Sequence, residues 1–421
     1  MSQSFICIDL KSFYASVECS ERGLDPFVTD LVVADPERSA STICLAITPA
    51  MKKKGVKNRC RIHEIPPGMQ YITARPRMQL YIDYSARIYG IYLRYIAPED
   101  IHVYSVDECF IDATGYLKLY HTGVRELAVR LMEEVLRETH ITATAGIGTN
   151  MYLAKIAMDI VAKHSEEHIG ILDEYSYRKL LWDHRPLTDF WQIGNGTQRK
   201  LARYGVMTMG ELARFSLTSE DLLFKLFGID AELLIDHAWG QETCRMEDIK
   251  KYRPGIRSLS NGQVLMRNYS RQEALVVLKE MADVLSMELL EKGLTTESIT
   301  VAVSYDHRFE RPHTGGTIRL EGRTNSSERI MEAAASVNLE TTDPHTGIRR
   351  LTVCANHVLP ETFLQYELFA DPEKAERERR LRMALLEIRN RYGSSAVMRG
   401  TGLLSCSTFR ERCGQIGGHH A

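Results

Sequence analysis

Nowhere does the sequence carry an apolar run approaching the ~18 residues that a membrane-spanning helix needs. The N-terminal MSQSFICIDL lacks a basic leader, an apolar core and a small-residue cleavage site, so the chain reads as cytoplasmic rather than secreted. Its nine cysteines include no CxxC pair and no zinc-ligand spacing. An odd, scattered set of this kind predicts reduced thiols and excludes a disulfide scaffold. The Gly-Lys dipeptide is absent, and with it the Walker A phosphate loop. Gly146-Ile147-Gly148 lacks the third glycine of a dinucleotide fingerprint. His164 to His168 formally fits the H-x-x-E-H zinc-protease pattern, but it lies in a polar stretch before Gly170 and reads as a solvated helix end. A global excess of charge is missing too: 53 basic against 55 acidic side chains leave a net charge of −2. Any attraction to nucleic acid must therefore come from local patches.

What is present is the balance of a globular chain. Hydrophobic residues are 44% and charged residues 26% of 421, enough for two to four domains at ~150 residues each. Charge is unevenly spread. Between Pro49 and Arg77 stand Lys52, Lys53, Lys54, Lys57, Arg59, Arg61, Arg75 and Arg77 against Glu64 alone, a patch suited to phosphates.

Up to about residue 165 the pattern is α/β. Phe5 to Leu10 alternates as a strand, Leu31 to Ala34 is a second apolar run, and Thr142 to Gly148 is a strand running into a helix near Met151. Val124, Leu127, Ala128, Leu131, Met132 and Val135 recur at helical spacing. His102–Ser105 and Cys109–Asp112 flank Val106-Asp107-Glu108, which predicts a hairpin with two carboxylates at its tip. From Thr188 to about Gly240 the chain is helical and short-looped. There Ile193-Gly194-Asn195-Gly196 leads into a basic helix, with Gly205-Val206 opening the next, as in a helix-hairpin-helix whose backbone N–H groups grip a DNA phosphate.

Residues 241–256 are polar and Pro-Gly punctuated, the pattern of a tether. Beyond them come a strand at about 257–267, a helix at 271–290, strands near 298–304 and 315–320, a helix at 326–337 and a strand at 348–357. This βαββαβ order is the ferredoxin-like pattern. An Arg/Glu-rich helix (371–392) and a glycine-rich tail close the chain.

The informative chemistry is acidic. Asp9 ends an apolar strand, and Asp107 with Glu108 stands at a hairpin tip. Carboxylates gathered at one sheet edge, with no histidine or cysteine signature of a zinc site, suit hard Mg²⁺ ions. Two such ions can clamp an in-line phosphoryl displacement.

Asp9-Leu10-Lys11-Ser12-Phe13-Tyr14-Ala15-Ser16-Val17-Glu18 and Tyr104-Ser105-Val106-Asp107-Glu108-Cys109-Phe110-Ile111-Asp112 resemble the two palm motifs of Y-family translesion DNA polymerases, and Thr144–Asn150 with Leu153–Ala157 resembles the third. The UmuC-like branch is the nearest in pattern, through Ala396–Gly400 and Gln415–His419 as well, and the resemblance runs over essentially the whole chain. It implies an α+β multidomain right hand: palm (1–14 and 81–165), small fingers (15–80), helical thumb (166–240), linker (241–256), ferredoxin-like little finger (257–360), and a clamp-binding segment with C-terminal tail (361–421).

The resemblance also implies roles. Asp9, Asp107 and Glu108 are the catalytic carboxylates and, with the Leu10 carbonyl, hold two Mg²⁺ ions. Phe13, Tyr14, Lys52 and Lys155 bind the incoming dNTP; Tyr14 is the steric gate against a 2′-OH, and Lys155 acts near a helix N-terminus. Pro49 replaces the family's tyrosine beside the triphosphate, and Lys11 stands where many relatives carry Asp or Asn. Gly194 and Gly196 in the thumb, and Arg257, Ser258 and Ser260 in the little finger, line primer-template DNA. Gln365, Leu368 and Phe369 resemble the peptide that docks on the bacterial sliding clamp. The branch also admits a UmuD-like accessory protein. The implied activity is DNA-templated synthesis past lesions in DNA repair and the SOS response. The rival from another class is a non-catalytic DNA-binding repair scaffold of the same architecture, against which the retained Asp9, Asp107, Glu108 and Lys155 argue. A nucleotidyl cyclase on a similar palm would need neither the hairpin nor the C-terminal unit.

Overall fold

The computed structural model describes residues 3–35, 37, 41–306, 308, 310–362 and 372–421. The chain divides into two compact units, Met1–Tyr252 and Arg253–Ala421. No helix among the described residues is long and apolar enough to cross a membrane.

In the first unit the strands are β1 (Phe5–Leu10), β2 (Leu31–Val33), β3 (Ala46–Ile47), β4 (Ile72–Ala74), β5 (Ile101–Val103), β6 (Glu108–Asp112), β7 (Ala143–Gly148) and β8 (Ile169–Leu172). Five of them form one sheet in the order β5-β6-β1-β7-β8, with β1 at its centre. Alternation along β1 splits its side chains between two cores. Ile6, Ile8 and Leu10 pack with the helices Met78–Tyr92 and Val124–Thr139, while Phe5 and Cys7 face Met151, Ala154 and Met158. Asp9 is odd-numbered and takes the second face.

The helix Met151–Ile156 lies directly on that second face because the β7 residues beneath it, Gly146 and Gly148, have no side chains. A Cβ on Gly146 would stand 2.0 Å from the Ala154 carbonyl oxygen, and one on Gly148 2.3 Å from the Ala154 nitrogen. The two glycines that fail as a dinucleotide loop thus serve helix-to-sheet contact, which sets how deep Lys155 reaches.

β8 pairs parallel to β7, so the sheet extends beyond the palm boundary drawn at residue 165. Four apolar residues give no alternation to mark a strand; β8 is specified by its neighbour, with Gly170 against the Ala157 backbone. A smaller sheet, β3-β2-β4, carries the basic segment over a core that includes Val32, Cys44, Ile47, Met51 and Cys60. The helices Glu174–Leu181, Asn195–Ala202, Met209–Phe227 and Asp230–Trp239 close around Tyr177, Phe190, Leu212 and Leu223. The helix expected to open at Gly205-Val206 begins at Met209 instead. Gly205 takes a left-handed turn (φ 75°), and the Thr208 side chain caps the Glu211 N–H.

Residues 246–251 are not a free tether. Met246–Lys251 is a short helix whose Met246 is buried beside Phe5, Cys7 and Phe110, and whose Lys250 Nζ donates to the Pro98 and Ile101 carbonyls.

In the second unit β9 (Ser258–Tyr269), β10 (Leu294–Tyr305), β11 (Thr314–Thr324) and β12 (Ile348–Asn356) form an antiparallel sheet in the order β11-β10-β12-β9. The helices Arg271–Glu291 and Ser327–Thr341 supply the βαββαβ order, and Ala274, Val277, Leu278, Met281 and Leu285 are all buried. The C-terminal residues pack as well. Ser407 Oγ and Arg412 both reach the buried Glu280 carboxylate (2.6 and 3.2 Å), Arg399 lies 3.0 Å from Asp283, and Phe409 is buried. Paired charge fixes this segment, which is why its glycine-rich composition misleads.

Candidate active site

Antiparallel pairing sets Asp9 directly opposite Glu108, and the Leu10 N–H donates to the Asp107 carbonyl at 2.9 Å. The β5–β6 hairpin thus delivers both of its carboxylates to the end of β1. Ser105 Oγ donates to Asp107 Oδ1 at 2.7 Å. Glu108 Oε1 accepts from the buried Cys7 thiol at 3.3 Å.

Lys155 Nζ lies 2.9 and 3.0 Å from the two Glu108 oxygens and 2.9 Å from Asp159. It is the fifth residue of its helix, past the first turn where the helix dipole acts. The two carboxylates, not the helix end, therefore govern its charge. Burial works against the ammonium, but Asp159 and Glu108 outweigh it and hold the group well above the usual lysine range.

The electrostatics call for a cation. Burial, with Asp107 and Glu108 alongside, pushes the Asp9 carboxyl up to about 7. Burial also raises Glu108 despite the opposing effect of Lys155. One lysine does not neutralise three carboxylates. The set is all oxygen and fits a hard divalent ion.

Tyr14 stands one helical residue past Phe13, after a left-handed Ser12 (φ 49°). Its ring stacks on Tyr81, and burial together with Asp107 raises its phenol. The Phe13 ring is buried in the core, which leaves its backbone as the part able to meet a nucleotide. Lys52, on the helix Pro49–Lys53, is coupled electrostatically to Asp9 and to Lys163.

The first motif ends at Glu18, but nothing in it shows that this carboxylate lies behind Tyr81. Glu18 is fully buried and accepts from Arg77 Nη2 (2.8 Å), Arg77 Nε (3.0 Å) and the Tyr81 hydroxyl (2.8 Å), with Arg22 also paired to it. Partners some sixty residues away leave no periodic signal. Asp159, four residues after Lys155 on the same helical face, was detectable.

Gly194 caps the helix Asn195–Ala202, and space around Gly194 and Gly196 is open. Ser258 and Ser260 are exposed on β9, an edge strand opposite Asn356 and Cys354, and Arg257 precedes them. Gln365, Leu368 and Phe369 lie outside the described residues.

The described parts are a central sheet with paired carboxylates, a smaller sheet carrying the basic segment, a helical segment and a βαββαβ unit. Residues 8–159 match the impB/mucB/samB family, and residues 256–368 match that family's C-terminal domain. The chain is 30% identical to UvrX of Bacillus subtilis (strain 168), whose name describes UV-damage repair, over 99% of this chain and 97% of that protein. It is 32% identical to DNA polymerase IV 2 of the same organism over 98% of each. DNA polymerase IV 2 of Halalkalibacterium halodurans is 28% identical over the full length of both. A solved Y-family DNA polymerase chimera of Dbh and Dpo4 shares the fold, with a TM-score of 0.64 at 20% identity, covering 85% of this chain and 99% of that one. The chain belongs to the impB/mucB/samB family of Y-family polymerases and is a DNA-directed, translesion DNA polymerase.

Proposed function

We propose that nucleotide addition takes place at the end of β1, with Asp9, Asp107, Glu108 and the Leu10 carbonyl holding two Mg²⁺ ions. The observation that carries this is the pairing of Asp9 with Glu108 beside Asp107, an anionic site in which burial and the two neighbouring carboxylates push the Asp9 carboxyl up to about 7. When bound, the ions supply positive charge to the triphosphate and to the attacking oxygen. The primer 3′-oxygen bonds to the α-phosphorus as the bond to the β-phosphate oxygen breaks. Pyrophosphate leaves with that electron pair, and the 3′-hydroxyl proton passes to water.

The chain's own residues bind and orient. Lys52 and Lys155 meet the triphosphate, and Tyr14, braced on Tyr81, lies under the sugar and excludes a 2′-OH. The amides beside Gly194 and Gly196, with Arg257, Ser258 and Ser260, follow primer-template phosphates without reading bases. Gln365, Leu368 and Phe369 dock on the sliding clamp, and a UmuD-like protein is an accessory partner. With nine free cysteines and DNA as substrate, the cytoplasm is the expected compartment.

The test is primer extension by the purified chain on intact and lesion-containing templates, with Mg²⁺ or EDTA. Asp107→Ala should abolish addition while primer-template affinity stays within a few-fold. Parallel loss of DNA binding would make these carboxylates structural.

A further inference from the structure

Three lysines, Lys155, Lys52 and Lys11, interact electrostatically with Asp9, and their partners differ. Lys155 is engaged by Glu108 and Asp159. Lys52 is coupled to Asp9 and Lys163, and Lys11 to Lys52 and Asp9. Among the described residues, neither Lys11 nor Lys52 has a carboxylate within ion-pair distance. Burial and Lys52 both disfavour the charge on Lys11, while Asp9 favours it.

The Lys11 backbone is fixed at both ends. Its N–H donates to the Thr142 carbonyl at 2.9 Å, and its carbonyl accepts from Ser16 Oγ at 2.6 Å. Lys11 directly follows the last residue of β1 and lies two residues past Asp9. Lys11 Nζ stands 3.0 Å from both ring nitrogens of His168, and 6.0 Å from the centre of the Phe27 ring. Burial and Lys11 itself disfavour a charge on His168, so the imidazole remains a neutral neighbour. An ammonium has three donors, and a neutral imidazole offers one acceptor nitrogen. The half-buried Lys11 cation therefore keeps donor capacity for an anion. His168 holds it from one side at a left-handed backbone position (φ 62°) in the turn before β8.

We propose that Lys11 is a further triphosphate-binding residue of this polymerase, contacting the incoming nucleotide's phosphates together with Lys52, and that His168 is its positioning residue. This rests on the active-site reading above. Lys11 supplies a cationic donor that Pro49 cannot offer. The pyrophosphate leaving group gains charge as the bond to the α-phosphorus breaks, so a fixed ammonium there favours both binding and departure.

The experiment compares wild type with Lys11→Gln, Lys11→Arg and His168→Asn; asparagine tolerates the left-handed backbone. Single-nucleotide addition gives KM and kcat. Equilibrium binding of a non-hydrolysable dNTP analogue to the protein–primer-template complex gives a readout that needs no turnover. Lys11→Gln should raise KM for dNTP and weaken the analogue on the order of 10-fold or more, the scale of one charged hydrogen bond. Primer-template affinity should stay within about 2-fold, because Lys11 is assigned to the nucleotide and its replacement removes no charged hydrogen bond to the duplex. Lys11→Arg should recover most of the analogue affinity, and His168→Asn should raise KM a few-fold with kcat little changed.

Unchanged analogue affinity in Lys11→Gln would overturn the proposal. So would an equal loss of DNA affinity, which would make Lys11 a DNA contact. If Lys11→Gln does not fold, Lys11→Arg and His168→Asn carry the same readouts, and a wild-type KM in His168→Asn would remove its positioning role. Asp107→Ala, run in parallel, separates the two readings. Activity retained there would sink the carboxylate site itself, whereas an inactive Asp107→Ala beside a normal Lys11→Gln sinks only the assignment of Lys11.

Discussion

The ring of Tyr14 lies on that of Tyr81, with centroids 4.4 Å apart and planes 16° from parallel. Tyr81 is in turn fully buried, and its hydroxyl donates to the buried Glu18 carboxylate at 2.8 Å. Arg77 and Arg22 complete the charge balance of Glu18. The proposed gate thus rests on a support anchored in the core, which fixes the height of the Tyr14 ring.

Sugar selection should follow from that support. Tyr14→Ala should raise ribonucleotide incorporation relative to deoxyribonucleotide sharply, and Tyr81→Leu should do so to a smaller degree while Tyr14 is present. The measurement is the ratio of kcat/KM for rNTP and dNTP. An unchanged ratio in Tyr14→Ala would show that this ring is not the gate.

Asp9 should make the metal-free protein's stability fall with pH. Its carboxyl is raised in the fold from 3.8 to about 7. Between those values the folded chain holds a proton that the unfolded chain releases, so stability declines as pH rises from about 4 to about 7 and the penalty remains in full above that. In EDTA at pH 8, Asp9→Asn should therefore be more stable than wild type by ~2–4 kcal/mol, a ceiling set by ~1.4 kcal/mol per pH unit. The gain should fade toward pH 4, and Mg²⁺ should shrink it by stabilising only wild type. Melts showing the same pH slope in both proteins would clear Asp9 of this role.

The C-terminal segment should contribute to the stability of the second unit. Arg412→Ala leaves the Glu280 carboxylate, buried against the helix Arg271–Glu291, without its guanidinium. Breaking a buried pair in this way costs ~3–5 kcal/mol. The double replacement Glu280→Leu with Arg412→Leu should cost clearly less, since neither charge is then stranded. Urea unfolding of the full chain checks both, and additive losses would mean the two residues act independently.

Recruitment should separate from chemistry. Replacing Leu368 and Phe369 by alanine should leave extension on a short template intact and remove stimulation by a loaded sliding clamp. A few buried apolar anchors carry most of such a peptide interface. Undiminished stimulation in the double mutant would end the clamp assignment.

Local pattern was enough for several parts of this protein. The helical spacing of Ala274, Val277, Leu278, Met281 and Leu285, and the strands around them, spelled out βαββαβ because burial on one face imposes a period that any chain must show. Asp9, Asp107 and Glu108 stood out because each closes an apolar strand or its hairpin. Tertiary structure alone decided the rest. Ile169–Leu172 becomes a strand only because β7 offers it a free edge. Lys155 meets Glu108 from 47 residues away, and the Lys11 ammonium meets His168 from 157 residues away. Glu18 finds Arg77 and Tyr81, and Arg412 finds Glu280, through contacts with no sequence period. Periodicity reports which face of an element is buried; it carries no information on which distant charge will be buried against it.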